Sequence, residues 1–253
     1  MIGVFDSGVG GLSILKALRA ELPAEDFAYF ADTAHAPYGE RGDAFVVERT
    51  RAVVQRLRDE HAIKALVIAC NTATAAAIHV VRTEHPDLPL VGVEPALKPA
   101  VALSKTGNIG VLATRGTTQS AKLRILHDSL KDRARFILQP CDGLADAIER
   151  DDTRRIAQLC ETYTAAIGPF GTAPAQVDTL VLGCTHYPFA LAALRACVGG
   201  QVMLIETGQP VAAQTRRLLA AAGTLRDSRS EGSVALLASG HDAGLRAAAE
   251  RWL

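Results

Sequence analysis

The sequence lacks an excess of charge of either sign. Its 253 residues include 27 lysines and arginines against 27 aspartates and glutamates, so the formal net charge at pH 7 is zero. A surface for nucleic acid or for an anionic membrane needs a basic excess. Long hydrophobic runs are missing as well: residues 65–70 are far shorter than a bilayer span, and residues 1–6 contain no signal-peptide pattern. We therefore expect neither a nucleic-acid partner nor a membrane partner.

Cysteine is scarce, and its spacing suits neither a metal nor a redox pair. The five cysteines form an odd set without a CxxC motif and without the Cys/His spacing of a zinc site. This spacing predicts no bound metal, disfavours a thioredoxin-like protein and fits a reduced, cytoplasmic compartment best. Cys141, Cys160 and Cys197 are expected to be small buried hydrophobic residues.

A complete nucleotide-binding loop is also absent. Residues 6–11, DSGVGG, begin like a dinucleotide loop, but Ser13 stands where the fingerprint needs its third glycine, and there is no Walker lysine. The glycines still allow backbone N–H groups to approach a small anion at the start of the next helix. Asp6 would repel a phosphate, so it suits an amine or a thiol as its neighbour. The loop therefore predicts neither a dinucleotide site nor a P-loop.

Short apolar strands alternate with helical stretches, which predicts an α/β protein. Apolar residues make up 49% of the chain, and its length allows one large domain or two of ordinary size. The pattern predicts strands at 2–5, 27–30, 63–70, 90–93, 108–113, 177–184 and 234–239, helices at 12–22, 44–60, 72–82 and 243–252, a loop at 168–174 and an exposed polar segment at 223–232.

The pattern repeats along the chain. Residues 1–6, MIGVFD, are similar to residues 108–113, NIGVLA, at an offset of 107 positions. Residues 63–70, IKALVIAC, are similar to residues 177–184, VDTLVLGC, at an offset of 114 positions. The similar offsets predict two homologous halves.

Cys70 and Cys184 end the two matching apolar runs. Each run is short and rich in β-branched residues, which is typical of a buried parallel strand that leads into a helix. Ligands of open α/β sheets bind outside the carboxyl ends of the strands, where both thiols are expected. Two thiols that face one ligand could move a proton from one face of a carbon atom to the other.

Polar residues follow each cysteine. Asn71–Thr72 and Thr185–His186 offer hydrogen-bond donors and acceptors, and a helix N-terminus beside either sulfur would favour the thiolate. His186 could donate a proton near neutral pH, or it could be a solvated loop histidine.

Several segments together closely resemble glutamate racemases of the cofactor-independent amino-acid racemase superfamily. They are residues 2–15, 30–42, 66–75, 92–96, 109–117 and 180–189. The resemblance implies two similar open-sheet α/β lobes related by pseudo-twofold symmetry, with the active site in the cleft between them. One lobe would comprise residues 1–94 plus 206–253 and carry Cys70, and the other would comprise residues 95–205 and carry Cys184.

The resemblance also implies a reaction and a set of site residues. A glutamate racemase interconverts L- and D-glutamate without pyridoxal phosphate, and it supplies D-glutamate for peptidoglycan and the cell wall. Cys70 and Cys184 would be the acid/base groups, with Asp6 assisting Cys70, His186 assisting Cys184, and Glu149 as a further helper. The implied substrate-binding residues are Asp6, Ser7, Pro37, Tyr38, Gly39, Cys70, Asn71, Thr72, Thr117, Cys184, Thr185 and His186.

Two alternatives stay open at this point. A related racemase of aspartate or of hydantoins would share the two-cysteine layout, although His186 and the HAPYG loop at 35–39 favour glutamate. A two-lobed binding domain would also hold a small anion, but it would need no paired thiols. A racemase would act on a small-molecule substrate, which we expect to be glutamate. The sequence is also compatible with a homodimer.

Overall fold

The computed structural model describes residues 1–228, 230–240 and 242–253. Position 229, within the predicted polar segment, and position 241, before the predicted last helix, lie outside the described residues. The chain forms two compact units: the first unit comprises residues 1–93 and 208–253, and the second unit comprises residues 94–207. The domain boundaries expected from the sequence differ at three residues, because they assign Glu94, Glu206 and Thr207 to the first unit. Glu94 instead pairs with Lys122 of the second unit, at 2.8 Å.

The secondary structure alternates between strands and helices. The strands are β1 (Ile2–Asp6), β2 (Phe27–Ala31), β3 (Ala65–Ile68), β4 (Leu90–Gly92), β5 (Asn108–Ala113), β6 (Arg135–Pro140), β7 (Thr179–Leu182), β8 (Met203–Ile205) and β9 (Val234–Ala238). The α-helices are α1 (Leu12–Glu21), α2 (Asp43–His61), α3 (Asn71–Glu84), α4 (Leu97–Leu103), α5 (Arg115–Gln119), α6 (Ala121–Asp128), α7 (Leu144–Glu149), α8 (Thr153–Ile167), α9 (Leu191–Val198), α10 (Gly208–Ala221) and α11 (Asp242–Trp252). Short 3₁₀ helices span Thr33–His35, Tyr38–Glu40 and Tyr187–Ala190.

Each unit contains one parallel sheet, and the two sheets share a strand order. In the first unit the order is β4-β3-β1-β2-β9, and in the second it is β6-β5-β7-β8. In both, the first strand lies between the second and the third, and the fourth pairs with the third. The strand β9 is an addition to the first unit, where it pairs in parallel with β2. The predicted α/β class and repeated sheet are confirmed.

The strands that read as continuous apolar runs are buried on both faces. Every residue of β1, β2, β3 and β7 is buried, as expected for a parallel sheet that helices cover on both sides. In the first unit, α1 buries Leu12, Leu15 and Leu18. These residues recur at three- and four-residue intervals, so they form the apolar stripe of a helix that packs on a sheet. The continuous runs therefore mark the centre of each sheet.

Most of the predicted elements lie within one or two residues of the observed ones. The strands that end at the cysteines are shorter than predicted, because β3 stops at Ile68 and β7 stops at Leu182. Residues 168–174 form a loop with one isolated bridge, from Phe170 to Val177. Among the described residues, no helix is long and apolar enough to cross a membrane.

Candidate active site

Cys70 lies at the junction between β3 and α3. The chain leaves β3 at Ile68, and the Ala69 N–H donates to the Phe5 carbonyl of β1 at 2.7 Å, so this segment still follows the sheet. Cys70 is then the N-cap of α3, where its Sγ accepts a hydrogen bond from the Ala73 N–H at 3.4 Å. The thiol is 6% exposed. A sulfur at the N-terminus of a 14-residue helix sits where the helix dipole and free N–H groups favour a thiolate.

Ser7 connects Cys70 to the carboxylate of Asp6. The Cys70 Sγ–H donates to the Ser7 Oγ at 3.8 Å, and the Ser7 hydroxyl donates to Asp6 Oδ1 at 3.4 Å. Asp6 ends β1, is fully buried, and accepts a further bond from the Gly8 N–H at 2.7 Å. The Tyr29 hydroxyl donates to the Gly8 carbonyl at 2.7 Å and so anchors this turn from β2. Asp6, Ser7 and Cys70 form what we call the Cys70 cluster.

The chain after β2 carries three predicted binding residues, Pro37, Tyr38 and Gly39. Tyr38 is buried and belongs to the same apolar cluster as Cys70. Its hydroxyl donates to Asp32 Oδ2 at 2.6 Å. Burial raises the pKa of Tyr38, and the Asp32 carboxylate raises it further, so the phenol stays protonated at neutral pH. Pro37 and Gly39 flank Tyr38 and are half-buried.

Asn71 and Thr72 form the first turn of α3 and are both buried. Asn71 is 4% exposed, and within the described residues neither its Nδ2 nor its Oδ1 has a hydrogen-bond partner. A buried amide without partners costs free energy comparable to a lost hydrogen bond. The side chain of Asn71 is therefore available to a ligand beside Cys70.

Cys184 occupies the corresponding place in the second unit. The Gly183 N–H donates to the Leu112 carbonyl of β5 at 2.7 Å, which matches the bond between Ala69 and Phe5. A Cβ on Gly183 would lie 2.8 Å from that carbonyl oxygen, so glycine permits the close approach of the two strands. Cys184 is 6% exposed. It is followed by the 3₁₀ helix Tyr187–Ala190, which runs directly into α9, so a helix begins three residues after this sulfur.

His186 and Glu149 supply the polar environment of Cys184. His186 Nδ1 lies 3.6 Å from the Cys184 Sγ, and its Nε2 lies 2.5 Å from Glu149 Oε1 at the end of α7. Burial alone would lower the pKa of His186, but its bonds to Cys184 and Glu149 and their negative charges raise it well above its ordinary value. His186 thus bridges the Cys184 sulfur and the Glu149 carboxylate. Cys184, His186 and Glu149 form the Cys184 cluster.

The remaining predicted residues of the second unit lie on adjacent segments. Thr185 is 2% exposed and separates Cys184 from His186. Thr117 is 1% exposed in α5, where its N–H and its hydroxyl both bond to the Thr114 Oγ1, at 3.2 and 3.0 Å. Thr114 follows β5 directly, so Thr117 also lies near the carboxyl end of a strand.

The other three cysteines differ from one another. Cys141 and Cys160 are buried, and burial raises the pKa of Cys160 to about 12 and that of Cys141 further, so both remain thiols. Cys197 lies exposed on α9, so the prediction that it is buried is wrong. All five cysteines are free. In the part of the chain that the structure describes, no group of three His, Cys, Asp or Glu residues is arranged to hold a metal ion.

The structure thus brings three predicted residues of each unit into contact, in the Cys70 cluster and in the Cys184 cluster. It also contains residues that the sequence did not single out. Asp32 ends the β2 segment as a fully buried carboxylate, and Arg49 of α2 donates two hydrogen bonds to it, at 3.0 and 3.2 Å. The signal for Asp32 was the one that identified Asp6, an acidic residue directly after a buried strand.

Comparison with known proteins places the chain among racemases. The family model described as Asp/Glu/Hydantoin racemase matches residues 2–215. Glutamate racemase of Ralstonia pickettii (strain 12J) is 51% identical over 222 residues, which cover 88% of this chain and 77% of that protein.

Solved structures are similar over nearly the whole chain. An isoform of glutamate racemase from Bacillus anthracis has a TM-score of 0.87 and 31% sequence identity, covering 100% of this chain and 93% of that one. Glutamate racemase from Francisella tularensis subsp. tularensis SCHU S4 in complex with D-glutamate has a TM-score of 0.83 and 27% identity, covering 100% and 92%.

Proposed function

Because the chain belongs to the Asp/Glu/Hydantoin racemase family, we propose that it interconverts L- and D-glutamate by proton transfer at Cα between two cysteines. One observation carries this proposal. Two thiols follow equivalent strands of two sheets with the same strand order, and each has its own polar partners. Racemases of this family need no cofactor, so these side chains must supply the acid and the base.

The reaction requires a strong base and an acid on opposite faces of Cα. The C–H bond beside the carboxylate of glutamate is a very weak acid, so a thiolate must remove the proton while a thiol delivers another. The C–H bond breaks as an S–H bond forms, and the second S–H bond breaks as the new C–H bond forms. One turnover therefore exchanges the protonation states of Cys70 and Cys184. By resemblance, Cys70 deprotonates D-glutamate and Cys184 deprotonates L-glutamate.

The two clusters support the thiolates in different ways. The α3 N-terminus and the Ser7–Asp6 pair surround Cys70, whereas the protonated His186, held by Glu149, faces Cys184. Negative charge that develops on the substrate carboxylate needs oriented donors in a dry site. The buried amide of Asn71 and the buried hydroxyls of Thr72, Thr117 and Thr185 are our candidates for substrate binding.

The substrate assignment is tested with purified protein and no added cofactor. Circular dichroism should follow each glutamate enantiomer to an equal mixture of both. Aspartate and a hydantoin serve as competing substrates in the same assay. Faster turnover of either one, or no turnover of glutamate, would contradict the proposal. We further propose that the protein is cytoplasmic and supplies D-glutamate for peptidoglycan. We also propose that it forms a homodimer, which sedimentation velocity would detect as a species of twice the monomer mass.

The two-base assignment is tested by removing each thiol. Cys70→Ala and Cys184→Ala should each lower the racemisation rate by at least ~100-fold, because each removes one of the two proton-transfer groups. The matched control is Cys197→Ser, which changes an exposed cysteine and should leave the rate unchanged.

A partial reaction separates the two faces. With a glutamate analogue that carries a leaving group at Cβ, loss of HX needs only the base. Cys184→Ala should then eliminate HX from the D-analogue alone, and Cys70→Ala from the L-analogue alone. Racemisation at near wild-type rates by either variant would refute the assignment.

A further inference from the structure

The C-terminal strand ends beside the loop that carries Pro37, Tyr38 and Gly39. In the parallel pairing of β2 with β9, Ala31 is opposite Ala238. The Ser239 N–H continues this ladder by donating to the Ala31 carbonyl at 3.0 Å. The chain that leaves β9 therefore runs next to the chain that leaves β2. We call residues 32–39 the β2 loop.

Asp32 is the hydrogen-bonding centre of the β2 loop. Its fully buried carboxylate accepts hydrogen bonds from the Tyr38 hydroxyl at 2.6 Å and from two nitrogens of Arg49. It also lies 2.9 Å from His35 Nδ1. Burial raises the pKa of Asp32, but its bonds to Arg49 and Tyr38 lower it below its ordinary value. Asp32 is thus a buried, charged acceptor whose position depends on its donors.

Ser239 bonds to the β2 loop through its side chain. Its Oγ accepts a hydrogen bond from the Ala34 N–H at 3.1 Å. The next residue approaches the loop closely as well, since a Cβ on Gly240 would lie 3.0 Å from the Thr33 Oγ1. Ser239 and β9 lie beyond residues 2–215, the part of the chain that matches the family model.

We propose that Ser239 is a positioning residue for the substrate, acting on the β2 loop through the Ala34 N–H. Its Oγ fixes the backbone at Ala34, between Asp32 and Tyr38, whose hydroxyl donates to Asp32. This inference rests on the proposed function, because the role of residues 37–39 in binding glutamate comes from the resemblance to racemases.

Two substitutions at the two ends of β9 make a matched pair. Ser233 precedes β9, and its hydroxyl donates to Asp26, just before β2, at 2.8 Å. Ser239 follows β9 and its Oγ accepts a hydrogen bond from the Ala34 N–H, just after β2. Ser233→Ala and Ser239→Ala therefore each remove one serine hydroxyl that bonds across the same pair of strands, but only the second lies at the β2 loop.

The kinetic test compares KM with kcat for both enantiomers. Ser239→Ala should raise KM about fivefold in each direction, the factor expected from one ordinary hydrogen bond, with kcat nearly unchanged. Ser239→Thr retains the hydroxyl and should restore KM to within about twofold of the wild type. Ser233→Ala should leave KM unchanged. An unchanged KM in Ser239→Ala, or an equal rise in Ser233→Ala, would overturn the proposal.

Hydrogen exchange separates this inference from the function itself. Peptides that cover residues 33–40 should exchange faster in Ser239→Ala than in the wild type or in Ser233→Ala, whatever the substrate is. Equal exchange in all three proteins would refute the anchoring by Ser239. Faster exchange in a protein whose wild type fails to racemise glutamate would reject the proposed function and retain the anchoring.

Discussion

Cys70 and Cys184 hold equivalent positions, yet their polar partners come from different places. The register that sets Phe5 opposite Ile68 and Leu112 opposite Leu182 makes Ala113 the counterpart of Asp6. Alanine has no polar group, and in the second unit His186 and Glu149 supply the polar contacts of the thiol instead. The repeat in the sequence therefore predicts where the thiols lie, but it does not predict the groups that tune them.

Glu149→Gln should weaken Cys184 as the base that deprotonates L-glutamate. The carboxylate raises the pKa of His186 both by its hydrogen bond and by its charge. Without that charge the pKa of His186 falls, so the imidazolium deprotonates at a lower pH and supports the Cys184 thiolate less well. We expect kcat with L-glutamate to fall roughly tenfold or more, with the alkaline limb of its pH profile moved to lower pH.

The measurements are pH profiles of kcat with each enantiomer and an NMR titration of His186. Asp59→Asn, which changes an exposed carboxylate of α2, is the control and should leave the profile unaltered. An unchanged titration of His186 in Glu149→Gln would show that Glu149 does not hold the proton on this imidazole.

At the scale of elements, the sequence predicts the central strands of both sheets and the edge strands of the first, but it misses both edge strands of the second sheet, β6 and β8. The strands β1, β3 and β7 are continuous apolar runs because both of their faces are covered. The strand β6 begins with an exposed arginine, and β8 has three half-buried residues, so neither produces a strong pattern. Helices α5 and α7 have five and six residues, too few to show a helical period.

The residues of the candidate site also differ in how well the local sequence predicts them. Asp6, Cys70 and Cys184 are predictable because each follows a recognisable central strand, and Glu149 required the resemblance to a known family. The bond from the Ala34 N–H to Ser239 depends on the pairing of β2 with β9, which joins segments about 200 residues apart. No local pattern records such a pairing, so the anchor of the β2 loop could not be predicted.

The turn between β1 and α1 offers a prediction at this scale. A Cβ on Gly11 would lie 2.6 Å from the Asp6 Cβ and 2.9 Å from the Tyr29 hydroxyl. Both neighbours are fully buried, so neither can move freely. Gly11→Ala should therefore lower the free energy of unfolding by about 1–3 kcal/mol and displace Asp6, with a loss of racemase activity.

Chemical unfolding and the racemase assay check this expectation. Gly42→Ala is the matched control, because a Cβ at Gly42 meets no atom within 4 Å and its φ of −70° suits alanine. Equal stability and equal activity of Gly11→Ala and Gly42→Ala would contradict the prediction that close packing at Gly11 is needed for stability and activity.

At the scale of the whole molecule, each unit contains a buried aspartate that makes stability depend on pH. Asp32 in the first unit and Asp178 in the second are at most 4% exposed. Asp178 accepts bonds from the Ser104 hydroxyl and from the Lys105 and Thr106 N–H groups. In both cases burial raises the pKa, but hydrogen bonding outweighs it and lowers the pKa below 3.8.

A lowered pKa in the folded state gives the sign of the effect. The stabilisation by these carboxylates is fully present above their unfolded pKa of about 4, and it is lost as the pH falls through the lower folded value. We expect the unfolding midpoint in urea to decline below pH ~4. Asp178→Asn should have a lower midpoint at pH 7 and a shallower decline below pH 4, and a decline parallel to the wild type would contradict this.

The discontinuous first unit has a consequence for synthesis on the ribosome. Translation proceeds from residue 1, so the whole second unit is made before α10 and β9 emerge. Until residues 234–238 have been synthesised, β2 remains an open edge strand, with its N–H and C=O groups free to pair with another chain. A nascent first unit therefore presents an edge that is open to aggregation, and β9 closes that edge once it has been made.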